Sequence, residues 1–101
     1  MEKKLSFKKD SSGKPITLFK PKWAPLEKAL PKDNCSNFMF MGSYEMEDGT
    51  LIHTYKHYGN RAYINLSDDG KAWQYCGDGY VEIDREKAVE DALLWVEEFS
   101  R

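Results

Sequence analysis

Residues 44–75 read YEMEDGTLIHTYKHYGNRAYINLSDDGKAWQY, and in this stretch Asp48-Gly49, Gly59-Asn60 and Asp69-Gly70 separate segments rich in aromatic and β-branched residues. Two-residue turns carrying Gly, Asn or Asp at positive φ join antiparallel strands tightly and fix their register. Counted outward from Asp48-Gly49, Met46 opposes Leu51, Tyr44 opposes His53 and Gly42 opposes Tyr55. Gly59-Asn60 sets His57 against Ala62, Tyr55 against Ile64 and His53 against Leu66, while Asp69-Gly70 sets Leu66 against Trp73 and Ile64 against Tyr75. The three registers agree on one apolar face that collects Phe40, Tyr44, Met46, Leu51, His53, Tyr55, His57, Ile64, Leu66, Trp73 and Tyr75. A three-residue Gly77-Asp78-Gly79 loop with a glycine bulge adds Val81 and Ile83 to that face.

Helical signals flank this core. Pro25 suits a first helical turn and Pro31 ends one, so residues 24–30 are expected to form a short helix with Leu26, Ala29 and Leu30 on one side and Trp23 stapling its start. Asp84 is an N-cap, and Ala88, Val89, Ala92, Leu93, Trp95, Val96 and Phe99 form a broad apolar stripe over residues 84–100. The expectation is an α+β fold: a five-stranded antiparallel meander over about residues 38–83, with both helices packed on one face.

The 101-residue length allows one domain and one core. Residues 1–32 hold nine lysines against Glu2, Asp10 and Glu27, a net of +6, whereas the remainder holds six basic and fourteen acidic side chains, a net of −8. A basic arm, residues 1–22, is thus expected to precede an α+β body over 23–101, either as a solvated tail or as an edge hairpin turned by Asp10-Ser11-Ser12-Gly13. No apolar run approaches the roughly 20 residues a membrane span needs, and no secretory signal follows Met1, so a cytoplasmic protein is expected. Cys35 and Cys76 lack CxxC spacing and read as two thiols, with a single bridge the alternative if the fold brings them together.

Catalytic signatures are absent from the pattern. His53 and His57 lie four residues apart on one strand, a separation of about 13 Å, too far for a shared metal. No carboxylate is placed beside either by register, and neither a nucleophile elbow nor a phosphate loop occurs. The expectation is a protein that is not an enzyme and holds no metal or cofactor.

The sheet face left open by the helices carries Met41, Lys56, Tyr58, Arg61 and Tyr63, aromatic, cationic and thioether side chains of the types enriched at protein interfaces. A protein partner bound through this face is the first expectation. The second is single-stranded DNA or RNA, stacked on the same tyrosines and neutralised by Lys3, Lys4, Lys8 and Lys9 of the arm. The expected topology, a strand meander closed by a C-terminal helix, is similar to that of single-stranded nucleic-acid binders, including PUR-type domains. Against phosphates stands the acidic body, with Glu45 assigned to the open face itself. A third expectation is a small ligand held under the C-terminal helix, near His53 and Tyr55.

Overall fold

A computed structural model describes residues 3–99. The first two residues of the expected arm and residue 100 of the expected helix lie outside that range. The elements, in order, are β1 (Lys4–Ser6), β2 (Thr17–Leu18), α1 (Ala24–Ala29), α2 (Lys32–Cys35), β3 (Phe38–Glu45), β4 (Leu51–His57), β5 (Tyr63–Ser67), β6 (Ala72–Tyr75), β7 (Gly79–Ile83) and α3 (Arg85–Phe99). The fold is α+β, but the sheet has seven strands rather than five, in the order β1-β7-β6-β5-β4-β3-β2. The two strands beyond the expected five are the shortest, and both come from the basic arm, for which an edge hairpin was one of two expectations and where Pro15 and interspersed lysines blur the strand pattern.

The arm also curls the sheet. β1 pairs with β7, yet the residues after it reach the opposite side: Phe7 bridges Met46, Lys8 N–H donates to Glu45 O at 3.0 Å, and Glu47 N–H donates to Ser6 O at 2.9 Å. The chain then reverses at Asp10, whose carboxylate accepts hydrogen bonds from Ser12 and the Lys14 N–H, and the Ile16 N–H returns to Lys8 O at 3.0 Å. Residues 4–18 therefore strap one edge of the sheet to the other.

Curling divides the apolar residues between two cores. On the convex side Phe38, Tyr55, Ile64, Leu66 and Ala72 pack against Leu26 and Leu30 around α1 and against Ala92 and Val96 of α3. Asp84 caps α3 as expected, its Oδ1 accepting the Glu86 N–H at 3.3 Å. Inside the curl, Leu5, Phe7, Met46, Ile52, Trp73 and Tyr80 form a second cluster with Tyr44 against it. Each fully buried large apolar side chain contributes roughly 1.5–3 kcal/mol, so the second cluster is a major part of what holds the strap in place.

This division corrects the expected apolar face. Phe40, His53, Tyr55, His57, Ile64 and Leu66 do face the helices, but Tyr44, Met46, Trp73 and Tyr75 lie on the concave side, and Ile52, Thr54 and Asn65 are buried there. The cause is loop length. Met46 pairs with Thr50 around a three-residue Glu47-Asp48-Gly49 loop, with Gly49 at φ 90°, and Ser67 pairs with Lys71 around Asp68-Asp69-Gly70, with Gly70 at φ 84°. Both are type I turns finished by a left-handed glycine, and an odd loop flips every side chain beyond it. A bulge at Met41 restores the expected facing of Phe40, and a two-residue Gly77-Asp78 turn in place of the expected three restores that of Val81 and Ile83.

Candidate functional site

Two constellations stand out, one on each side of the sheet. On the convex side, His53 is fixed by a partner at each ring nitrogen: Nδ1 accepts the Ser43 hydroxyl at 2.6 Å and Nε2–H donates to Asp68 Oδ1 at 3.0 Å. Lys22 Nζ lies 2.8 Å from the same carboxylate oxygen. The expectation of no carboxylate beside His53 is thereby overturned, since the longer loop carries Asp68 to the ring. Burial opposes ionisation of Asp68, yet the Lys22 ammonium and the His53 N–H hold its carboxyl below the usual range. Ser43 and His53 are 3% and 1% exposed. A nucleophile needs an approach for its substrate and an oxyanion site beside it; Ser43 is closed off among β2, β3 and β4, so the chain of hydrogen bonds ties strands and loop together. Tyr55 adds a further tie, its hydroxyl donating to Lys22 O.

His57 is held neutral in another way. Its Nδ1 accepts the N–H groups of Gly59 at 3.0 Å and Asn60 at 3.4 Å, and the ring packs against Phe38, Trp95 and Phe99. Protonating Nδ1 would break both turn hydrogen bonds. Burial lowers the pKa of His57, and burial also lowers that of His53 against the pull of Asp68. A base whose folded pKa lies below its unfolded value, near 6.5, binds fewer protons folded than unfolded as the pH falls through that value, so stability falls with it. The melting temperature is expected to drop between pH 7.5 and pH 5, and the drop to shrink in His57→Gln; a flat profile would show that neither ring resists protonation.

Where β5 and β6 part, a cleft of about 940 Å³ runs from the concave side through the sheet to α3 on the convex side. Their ladder has two pairs, Asn65 with Trp73 and Leu66 with Ala72, although β5 begins at Tyr63 and β6 runs on to Tyr75. Tyr63, Asn65, Trp73 and Tyr75 line the cleft from the two diverging strands, and Ala88, Asp91 and Trp95 line it from α3. Phe7, Tyr44, Tyr75 and Tyr80 form a continuous ring cluster along one wall, with centroids 5.4–6.2 Å apart. Burial pushes the Tyr80 hydroxyl pKa well up, so that hydroxyl stays neutral.

Of the residues singled out in the sequence, Met41 and Tyr63 line the cleft. Lys56 shares their face, although it pairs with Met39 and Tyr63 because Met41 sits in the bulge. Tyr58 and Arg61 are exposed in the 58–61 loop, Arg61 at φ 60°, and neither borders the cleft. Glu45 pairs with Leu51 and lies off the concave face, bound to Lys8 at 3.3 Å. Lys3 and Lys4 also meet acids, Asp48 at 3.8 Å and Asp78 at 3.1 Å, while Lys9 borders the cleft with no ion pair among the described residues. The arm's cations are thus largely spent within the fold.

Asn65 and Tyr80 are cleft residues that the sequence reading did not single out, whereas Trp73 and Tyr75 were expected on the helix-covered face. The signal that places Trp73 and Tyr75 is the triplet ending in Asp-Gly, which favours the three-residue loop. Both cysteines are free, Cys35 buried and Cys76 exposed. Among the described residues no helix is long and apolar enough to cross a membrane, and no group of three or more His, Cys, Asp or Glu side chains is arranged to hold a metal ion. No family model, no curated protein and no solved structure matches the chain.

Proposed function

We propose that the chain is a non-catalytic binding module that engages another protein through the concave face of its sheet. The observation that carries this is the pair Tyr63 and Tyr75, 45% and 59% exposed, at the mouth of a cleft whose inner aromatic residues are buried. Exposed tyrosine beside a preformed aromatic wall supplies contact area at low entropic cost, which is what interface anchors require. Met41 and Lys56 extend the same surface.

Single-stranded nucleic acid is the second reading, favoured by the same tyrosines as stacking platforms. Against it stands the pairing of Lys3, Lys4 and Lys8 with acids.

The double variant Tyr63→Ala/Tyr75→Ala is expected to change unfolding free energy by less than about 1 kcal/mol, as exposed positions do, while losing the partner that the wild-type chain retains. Pull-down with both forms, alongside a thermal melt, checks this; retention of the partner by the folded double variant rejects the surface. Fluorescence anisotropy with labelled oligo(dT) and oligo(U) at 20 and 200 mM salt tests the second reading, and tight binding that falls steeply with salt would put nucleic acid first.

A further inference from the structure

The cleft carries more than aromatic walls. In antiparallel sheets a residue's N–H and C=O point together to one side, and the side alternates along the strand. His57 N–H bonds to Ala62 O, so Tyr63, one residue on, turns its main-chain groups away from β4 and toward β6. Cys76 N–H bonds to Gly79 O, so Tyr75 likewise turns its groups away from β7 and toward β5. Continued past Asn65 and Trp73, the register would set Tyr63 opposite Tyr75, yet no pair joins them. Two N–H and two C=O groups therefore face each other across an open fork.

Asn65 stands at the apex of that fork. Its Nδ2 donates to Trp73 O at 3.1 Å, capping the last pair of the ladder, and its Oδ1 has no hydrogen-bond partner among the described residues. The residue is 6% exposed. A buried carbonyl without a donor is costly, and this one belongs to a cleft-lining residue beside strand edges that are themselves unpaired.

We propose that the fork binds an extended peptide segment of another protein, whose main chain bonds to the free edges of Tyr63 and Tyr75 and supplies an N–H to Asn65 Oδ1; this rests on the protein-binding reading above. Strand addition uses main-chain groups of this kind for affinity and the flanking side chains for selectivity. Trp73, Tyr63 and Tyr75 offer apolar and aromatic contact, so the segment carries apolar side chains. Asp78 and Asp91 of the lining are already paired, with Lys4 at 3.1 Å and Lys87 at 3.0 Å, so the segment is selected by apolar contact rather than by charge.

The test is selection of a random dodecapeptide library displayed on phage against the intact chain. Fluorescein-labelled winners are then measured by anisotropy and by amide hydrogen exchange. Peptides rich in apolar residues should be enriched, and bound peptide should slow exchange of the Tyr63 and Tyr75 amides at least tenfold. Asn65→Ala should weaken binding at least tenfold; if that variant does not fold, the exchange footprint on the wild-type chain decides alone. Enriched peptides that leave both amides exchanging as in the free chain, unchanged affinity in folded Asn65→Ala, or no enrichment each overturn the proposal. Protection of both amides in a chain that elutes as a dimer without peptide overturns it too, by making the occupant a second copy. A captured protein whose footprint lies at Lys56 or Tyr44 rejects the fork while sparing the protein-binding reading, whereas a captured protein indifferent to Tyr63→Ala/Tyr75→Ala rejects the concave face itself.

Discussion

Gly79→Ala should destabilise the protein by roughly 3 kcal/mol, the upper range for forcing atoms into a packed site. A Cβ at Gly79 would lie 1.9 Å from Leu5 O and 2.9 Å from both Leu5 C and Ser6 Cα. These are main-chain atoms of β1, so no rotamer change relieves the clash; β1 must move off β7. That displacement carries Leu5 and Phe7 out of the concave cluster and breaks the bond from Phe7 N–H to Asp78 O. Gly77→Ala, two residues away, is the control: nothing lies within 4 Å of its Cβ, and only its φ of 95° is penalised, about 1–2 kcal/mol. Urea denaturation should rank the two variants in that order, with faster exchange of the Phe7 amide in Gly79→Ala. Equal stability of the two would mean that the strap is not clamped at Gly79.

Trp73→Ala should cost about 3–5 kcal/mol, the range for deleting a buried large aromatic. Trp73 is 2% exposed inside the curl, and its Nε1–H donates to Ser67 Oγ at 2.8 Å, tying β6 to the start of the loop that carries Asp68. Ser67 in turn donates to Asp69 within that loop. Trp73→Phe keeps most of the apolar contact and loses the donor, so it should cost about 1–2 kcal/mol. A thermal melt of both variants separates packing from hydrogen bonding; near-wild-type stability of Trp73→Ala would place the indole outside the core.

Of the expected register, the β4–β5 hairpin is found as read: Tyr55 opposes Ile64 and His53 opposes Leu66. Its loop is longer than two residues, since Arg61 N–H bonds back to His57 O and Arg61 takes φ 60°, but an even number of extra residues leaves each side chain on its own face. The flanking loops are odd, and this moved Tyr44, Met46, Trp73 and Tyr75 to the side thought open. Locally, Asp-Gly fits both a two-residue turn and the last two positions of a three-residue loop. What separates them is which faces find cover.

The candidate site was legible only in part for the same reason. Tyr63 and Met41 were visible as exposed strand residues on the less apolar face, and both do border the cleft. Asn65 was visible only as a polar strand residue, because its unpartnered carbonyl arises from the end of a ladder, which no spacing in the chain records. The Ser43–His53–Asp68 chain escaped notice because Asp68 reaches the ring only through the extra loop residue.

The sequence by itself determined the meander, the C-terminal helix with its Asp84 cap and the facing of β4 on β5, because turn chemistry, helical periodicity and strand alternation are properties of neighbouring residues. The tertiary structure alone decided that the sheet has two cores, that residues 4–18 strap its edges together, and that β5 and β6 part at Asn65. Those outcomes depend on Leu5 and Phe7 meeting Met46, Ile52 and Tyr80 far along the chain. Contacts at that range carry a loop-closure cost that only the completed curl repays, and the odd loops are the ones that point Met46 and Trp73 inward.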